Sequence, residues 1–185
     1  MKSRTLIFVV IVGIGAIAVG WIYQSQSRFE VDRAELVIPD NIDYFLTDLK
    51  YRVMTESGTL DYEFQSKRLE HRPRNDVSHI EVPSLQIYRD GGQWQVDSQQ
   101  GELQHQNNLL RLQDQVVMLR LGANPIQIYT ESIRFEPERD TITSESSILM
   151  QSSTARIEAE HATFDLANNV YSLKKARTIY YDGNS

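Results

Sequence analysis

The sequence predicts a nearly all-antiparallel-β domain behind a single apolar N-terminal helix. Three observations carry this. Apolar and polar residues alternate through many short segments, as in "TLDYEFQ" at 59–65, where Leu60, Tyr62 and Phe64 alternate with Asp61, Glu63 and Gln65. Polar pairs suited to tight turns recur at similar intervals. An uncharged run, LIFVVIVGIGAIAVGWIY, fills residues 6–23.

That run comes first in the chain. As a helix it would extend about 27 Å, close to the hydrocarbon thickness of a bilayer. Lys2 and Arg4 lie in the short segment 1–5 before it, which sets the N-terminus in the cytoplasm. Trp21 and Tyr23 close it at headgroup depth. Gly13, Ala16 and Gly20 share one helix face, where small side chains let another helix approach. Ala18 and Gly20 also make a passable cleavage site, so a signal peptide is the competing reading. The run is longer than a usual signal core and continues past that site, which favours a retained anchor. Either reading exports the rest of the chain.

Residues 24–40 are mixed and polar, ending at Pro39 and Asp40, and read as a linker. From 41 to 185 a single domain is expected, and three stretches align within it: 93–120, 125–151 and 154–181. Each opens on an alternating strand, carrying Trp94 and Val96, Ile126 and Ile128, or Ala155 and Ile157. Each continues through a second short strand holding Leu103, Phe135 or Phe164, and then turns at a polar pair. The pairs are Asn107-Asn108, Arg139-Asp140 and Asn168-Asn169, residues that tolerate left-handed backbone. Residues 59–88 fit the same template with a longer turn. Repeated strand hairpins indicate a stacked or wrapped β-architecture.

The apolar faces have two possible destinations. In a closed sandwich they meet and form a dry core, the usual fate of such residues. In an open fold they line a groove. The candidate lining residues are Tyr62, Phe64, Trp94, Val96, Leu112 and Ile126. Ile128, Phe135, Ile148, Ile157, Phe164 and Leu173 complete the set.

Composition narrows the function classes. The net charge is −6; removing Lys2 and Arg4 from the 19 Lys+Arg leaves 17 against 25 Asp+Glu, a net of −8 beyond the N-terminus. Such a domain is unsuited to nucleic acid, which needs clustered positive charge. There is no cysteine, which removes disulfides and thiol chemistry. His71, His79, His105 and His161 form no HExxH and no close sequence pair, so no metal site is expected, and His71 reads as a surface or turn residue. No nucleophile elbow, P-loop or dinucleotide fingerprint occurs, and the carboxylates show no distinguished pair. No enzyme and no cofactor are expected. The pattern is that of a protein that binds or connects.

Several stretches resemble the LptC family, the membrane-anchored component of the lipopolysaccharide export machinery of Gram-negative bacteria. "DYFLTDLKYRVMTESGTLDYEFQSKRLEH" sets Gly58 before the strand with Tyr62. "VPSLQIYRDGGQWQVDSQQGEL" gives Pro83, Leu85, Trp94 and Gly101 in the family's order. "LLRLQDQVVMLR" and "IYTESIRFEPERDTITSESSILM" are similar to its later strands. Ser153 and Thr154 stand where the family usually has glycine. The resemblance implies an open, twisted β-jellyroll of antiparallel strand-pair repeats, anchored once in the inner membrane with its C-terminal domain in the periplasm. It favours the groove over the dry core and implies lipopolysaccharide acyl chains as its guest. It also implies partners: the ABC-transporter permease subunits LptF and LptG at the N-terminal edge, and the bridge protein LptA at the C-terminal edge. The expected edges are Thr59, Leu60 and Asp61, and Arg177, Ile179 and Tyr181. A periplasmic scaffold that recruits envelope proteins without lipid is the alternative.

Overall fold

The computed structural model describes residues 41–89, 92–144 and 146–181, which belong to one compact unit, Ile38–Ser185. The anchor and linker, with Gly13, Ala16 and Gly20, lie outside the described residues. No helix among the described residues is long and apolar enough to cross a membrane.

Alternation and turn chemistry produce strands almost throughout. They are β1 (Tyr44–Met54), β2 (Leu60–Arg72), β3 (Val77–Glu81), β4 (Ser84–Arg89), β5 (Gly92–Asp97), β6 (Gln100–Gln104) and β7 (Leu109–Leu121). They continue as β8 (Ile126–Glu136), β9 (Thr141–Ser144), β10 (Ile148–Gln151), β11 (Ala155–Ala159), β12 (His161–Asp165), β13 (Val170–Lys174) and β14 (Arg177–Tyr180). All pairings are antiparallel, and all the strands join in one sheet. The expected turn residues take the left-handed backbone foreseen for them: φ is 50° at Asn108, 50° at Asp140 and 55° at Asn169.

The pairing describes a meander of long rungs, each creased near its middle. β3 with β4, β5 with β6, β9 with β10, β11 with β12 and β13 with β14 are rungs interrupted by a few residues. β1, β2, β7 and β8 cross the crease unbroken. Thus β2 pairs with β4 through Tyr62–Gln65 and with β3 through Arg68–Arg72. Likewise β7 pairs with β6 through its first half and with β5 through its second. One half of the folded sheet holds β4, β5, β10, β11 and β14. The other holds β3, β6, β9, β12 and β13.

Positive φ marks the crease. Asp48 (50°) lies in β1, Val82 (50°) between β3 and β4, Asp114 and Gln115 (63° and 57°) in β7, and Lys175 (53°) between β13 and β14. Backbone bonds bridge the bends: Val82 N–H donates to Gln99 O at 2.9 Å, and Gln99 N–H to Asp114 O at 3.0 Å. Gly101 sits beside this line because a Cβ there would come within 3.2 Å of Pro83 Cγ and 3.1 Å of Leu112 Cδ2.

Between the halves the core is dry. Ile87, Val96, Leu112, Met118, Ile128, Ile142 and Phe164 are fully buried. Trp94 of one half meets Phe164 and Tyr171 of the other, each at a ring-centroid distance of 5.9 Å. Burial and aromatic contact together set the cost of opening this layer. Phe164→Ala is therefore expected to destabilise the domain by about 3–5 kcal/mol; thermal unfolding followed by circular dichroism measures it.

Candidate functional site

The core is not filled to its N-terminal end. An apolar cavity of about 420 Å³ lies there between the half-sheets. β1 and β2 supply Leu46, Leu49, Tyr51, Tyr62, Phe64 and Leu69. Ile80 and Leu85 come from β3 and β4, Leu103, Leu110 and Phe135 from β6, β7 and β8, and Asn108 and Pro137 from two hairpin turns. Its volume falls in the range of small-ligand pockets. Its wall reaches solvent through apolar residues, since Leu46 and Tyr51 are 43% and 54% exposed. Polar groups in the wall are few. Burial raises the pKa of the Tyr62 hydroxyl, so it stays neutral.

The structure divides the expected groove residues. Tyr62, Phe64 and Phe135 line the cavity. Trp94, Val96, Leu112, Ile128, Ile148 and Phe164 are instead buried in the packed core. Ile126, Ile157 and Leu173 pack, partly buried, against it. The expectation of one groove along the whole chain is therefore corrected to an N-terminal cavity followed by a filled core. The cause is the close approach of the half-sheets beyond β4, where side chains from opposite strands meet.

The edges also need a correction. Thr59, Leu60 and Asp61 are not on an outer strand: Leu60 pairs with Met54 of β1, and Thr55 N–H donates to Thr59 O at 2.8 Å. The outer strand at this end is β1, whose described pairing is with β2 alone. At the other end Arg177 and Ile179 lie in β14, which pairs only with β11 among the described residues. Tyr181 follows it, its N–H donating to Thr154 O at 2.9 Å. Ile179, Tyr180 and Tyr181 are exposed.

Two charged clusters lie on the strands and turns that carry the cavity wall, outside the cavity itself. On the outside of the β1–β2 ribbon, Glu63 is buried between cations of β1. Lys50 Nζ lies 3.0 Å from its Oε1, and Arg52 Nε donates to its Oε2. Arg52, then Lys50 and Gln65, hold the Glu63 carboxyl down at about 2 against an ordinary 4.5. Across the rim opposite the crease, Arg89 at the end of β4 donates to Asp61 and to Asp140. Asp140 belongs to the turn between β8 and β9, in the other half of the sheet. Arg89 is thus a clasp between the two rims. Its burial opposes the charge, but Asp140 and Asp61 outweigh that and raise its pKa.

A third cluster lies at the start of β1. Asp43 Oδ1 accepts from His71 Nδ1 at 2.7 Å, and Asp76 Oδ1 lies 3.3 Å from His71 Nε2. Tyr44 stacks on the His71 ring at 4.7 Å, and His105 meets it edge-on at 5.0 Å. The hydrogen bond to Asp43 raises the His71 pKa. His71 is buried, contrary to the surface or turn position expected for it. Strand pairing brings together histidines 34 positions apart in sequence, which no local spacing could signal.

Most of the cavity wall was missed by the sequence reading, above all Leu46, Leu49 and Tyr51. The available signal was apolar alternation in "YFLTDLKYRV", broken by the bend at Asp48.

The Glu63 cluster fixes how this end responds to acid. The folded carboxyl is depressed, so its contribution is complete above about pH 4.5 and fades as pH falls toward 2. Glu63→Gln is expected to flatten the loss of thermal stability across that window, read as melting temperature against pH.

The comparisons with known proteins agree with this architecture. The chain matches the LptC family model, described as lipopolysaccharide-assembly, LptC-related, over residues 8–182. No curated protein sequence matches it significantly. Among solved structures its fold is similar to that of LptH, described as the LptA-homologous periplasmic component of the conserved lipopolysaccharide transport device from Pseudomonas aeruginosa. The TM-score is 0.52 at 8% identity, covering 65% of this chain and 95% of that one. At that identity the likeness speaks to fold alone. The family match spans nearly the whole sequence, and the chain belongs to the LptC family and takes part in lipopolysaccharide transport.

Proposed function

We propose that the domain holds lipopolysaccharide by its acyl chains in the N-terminal cavity, taking it from an inner-membrane ABC transporter and handing it to a periplasmic bridge protein. The observation that supports this most directly is the open apolar cavity of about 420 Å³ beside β1, whose outer edge is unpaired among the described residues. Each methylene withdrawn from water contributes about 0.8 kcal/mol, so an apolar wall retains a fatty chain without directional bonds. β1, whose outer edge has no partner among the described residues, would receive a strand or a lipid from the permease subunits LptF and LptG. β14 offers LptA a second edge, unpaired among the described residues, where strand addition would supply main-chain hydrogen bonds. The residues before Asp40 would anchor the domain in the inner membrane. Nothing in this reading needs catalysis by the chain or a cofactor in it.

A lipid leaving the cavity toward β14 meets the filled core. The half-sheets must part there, and the Arg89 clasp is what holds the rims. A groove along Val96, Ile128 and Phe164 would exist only while they are apart. Binding partners through the free edges without lipid is the second reading, and mass spectrometry of the gently purified chain separates the two.

A photo-crosslinking amino acid at Phe64 or Leu49 is expected to capture lipopolysaccharide in cells, and one at the exposed outer position Lys67 is not. Capture at Ile128 is expected to be weak and to rise in Arg89→Ala. Absence of adducts at Phe64 and Leu49, with normal protein levels, refutes the lipid reading. Unchanged capture at Ile128 refutes the clasp.

A further inference from the structure

We propose that His71, Asp76 and His105 form a binding site for a divalent transition-metal ion, with zinc the best match. One donor atom from each lies within 4.8 Å of the others. Tetrahedral zinc with bonds of about 2.0–2.2 Å needs its donors roughly 3.3–3.5 Å apart. His71 Nε2 and Asp76 Oδ1 already stand 3.3 Å apart. His105, on the exposed turn between β6 and β7, has only to close by about one ångström of side-chain rotation.

The surroundings are those of a ligand set. Asp43 Oδ1 accepts from Nδ1 of His71, which leaves Nε2 as the atom that faces Asp76. An outer carboxylate on the far nitrogen is the usual means of orienting a metal-bound imidazole and raising its basicity. Ser78 Oγ, 2.8 Å from His105 Nε2, is the outer partner on the second ring. The backbones are tied too: His105 N–H donates to Asp76 O at 3.2 Å, so two of the ligands share one hydrogen-bonded joint.

Donor chemistry selects the ion. Two imidazoles and one carboxylate suit zinc, copper(II) or nickel. Calcium and magnesium prefer all-oxygen shells, and copper(I) prefers sulfur, which no cysteine here can supply. Three protein ligands leave a fourth position open to water or to a group from a partner. An ion here would join the β2–β3 and β6–β7 turns. The second of these carries Asn108, so the ion would stiffen the wall of the cavity.

The test uses the full chain in detergent, titrated with zinc chloride by calorimetry against a competing chromophoric chelator. The pH is kept above the imidazole range, because a proton competes for Nε2. One ion per chain is expected, with cobalt(II) giving a tetrahedral ligand-field spectrum in the same site. His105→Ala, which removes an exposed side chain, should weaken binding at least about ten-fold and abolish that spectrum. Asp43→Asn should weaken it about 10–100-fold through lost orientation. His79→Ala and His161→Ala should bind as the wild type does. The proposal is overturned if the wild type binds no stoichiometric ion, or if His105→Ala binds with unchanged affinity. If His105→Ala melts differently from the wild type, Asp76→Asn decides by the same criterion.

Discussion

A β-strand buries alternate residues, so a sheet folded across its own strands has to change which parity faces inward at the fold. In β8, Ile128 and Thr130 are buried before the crease and Ile133 and Phe135 after it. In β2, Phe64 and Ser66 precede it, and Leu69 and His71 follow. That slip of one residue, repeated on successive rungs at one level, makes a two-layered core from a simple meander. If one rung bent elsewhere, its apolar residues on one side would face water. Left-handed residues, strand gaps and the Gly101–Pro83 contact all serve to keep these bends in line.

A core built this way is deepest in the middle rungs and thins at the ends. β5, β7 and β8 have neighbours on both sides and fill the space between the halves. Among the described residues β1 has no further rung beside it to cover its inner face. The cavity is the direct result: Leu46 and Tyr51 face the place another rung would occupy, and Glu63 with its two cations pins the ribbon from outside. A strand edge with apolar residues behind it is normally an aggregation hazard. Here the acidic balance of the domain and the charge on the outer face of β1 oppose casual pairing. They leave the position open to a partner with a complementary edge.

Much of this was legible in the sequence. The repeats beginning at Gln93, Pro125 and Thr154 correspond to successive pairs of rungs, and their turns fall at Asn108, Asp140 and Asn169, whose side chains suit a left-handed backbone. Local chemistry sufficed for these because a hairpin turn is a local problem. The packed state of Val96 and Ile128 was not legible, since alternation says that a face is buried and not against what. β1 stayed hidden because the bend at Asp48 shifts its parity halfway, from Tyr44 and Leu46 to Leu49 and Tyr51. The His71–His105 contact was equally beyond reach, as it depends on β3 lying between β2 and β6.

The middle of the domain then presents a conflict that the clasp addresses. A carrier needs apolar surface for its cargo, yet the same surface collapses on itself when the cargo leaves. Keeping an empty channel open through the core would cost about 24 cal/mol per Å³ of void, which a marginally stable domain tolerates only in small amounts. Closing the halves over Trp94, Phe164 and Tyr171 avoids that cost, and an ion pair at the rim is a contact that can be broken without disturbing the hinge. Arg89 meets Asp61 in its own half and Asp140 in the other. When the rims part it can keep the first partner and release the second, so its charge is never left alone in an apolar place. On the function proposed above, such a carrier would stay closed by default and open only as lipid replaces the contacts it displaces.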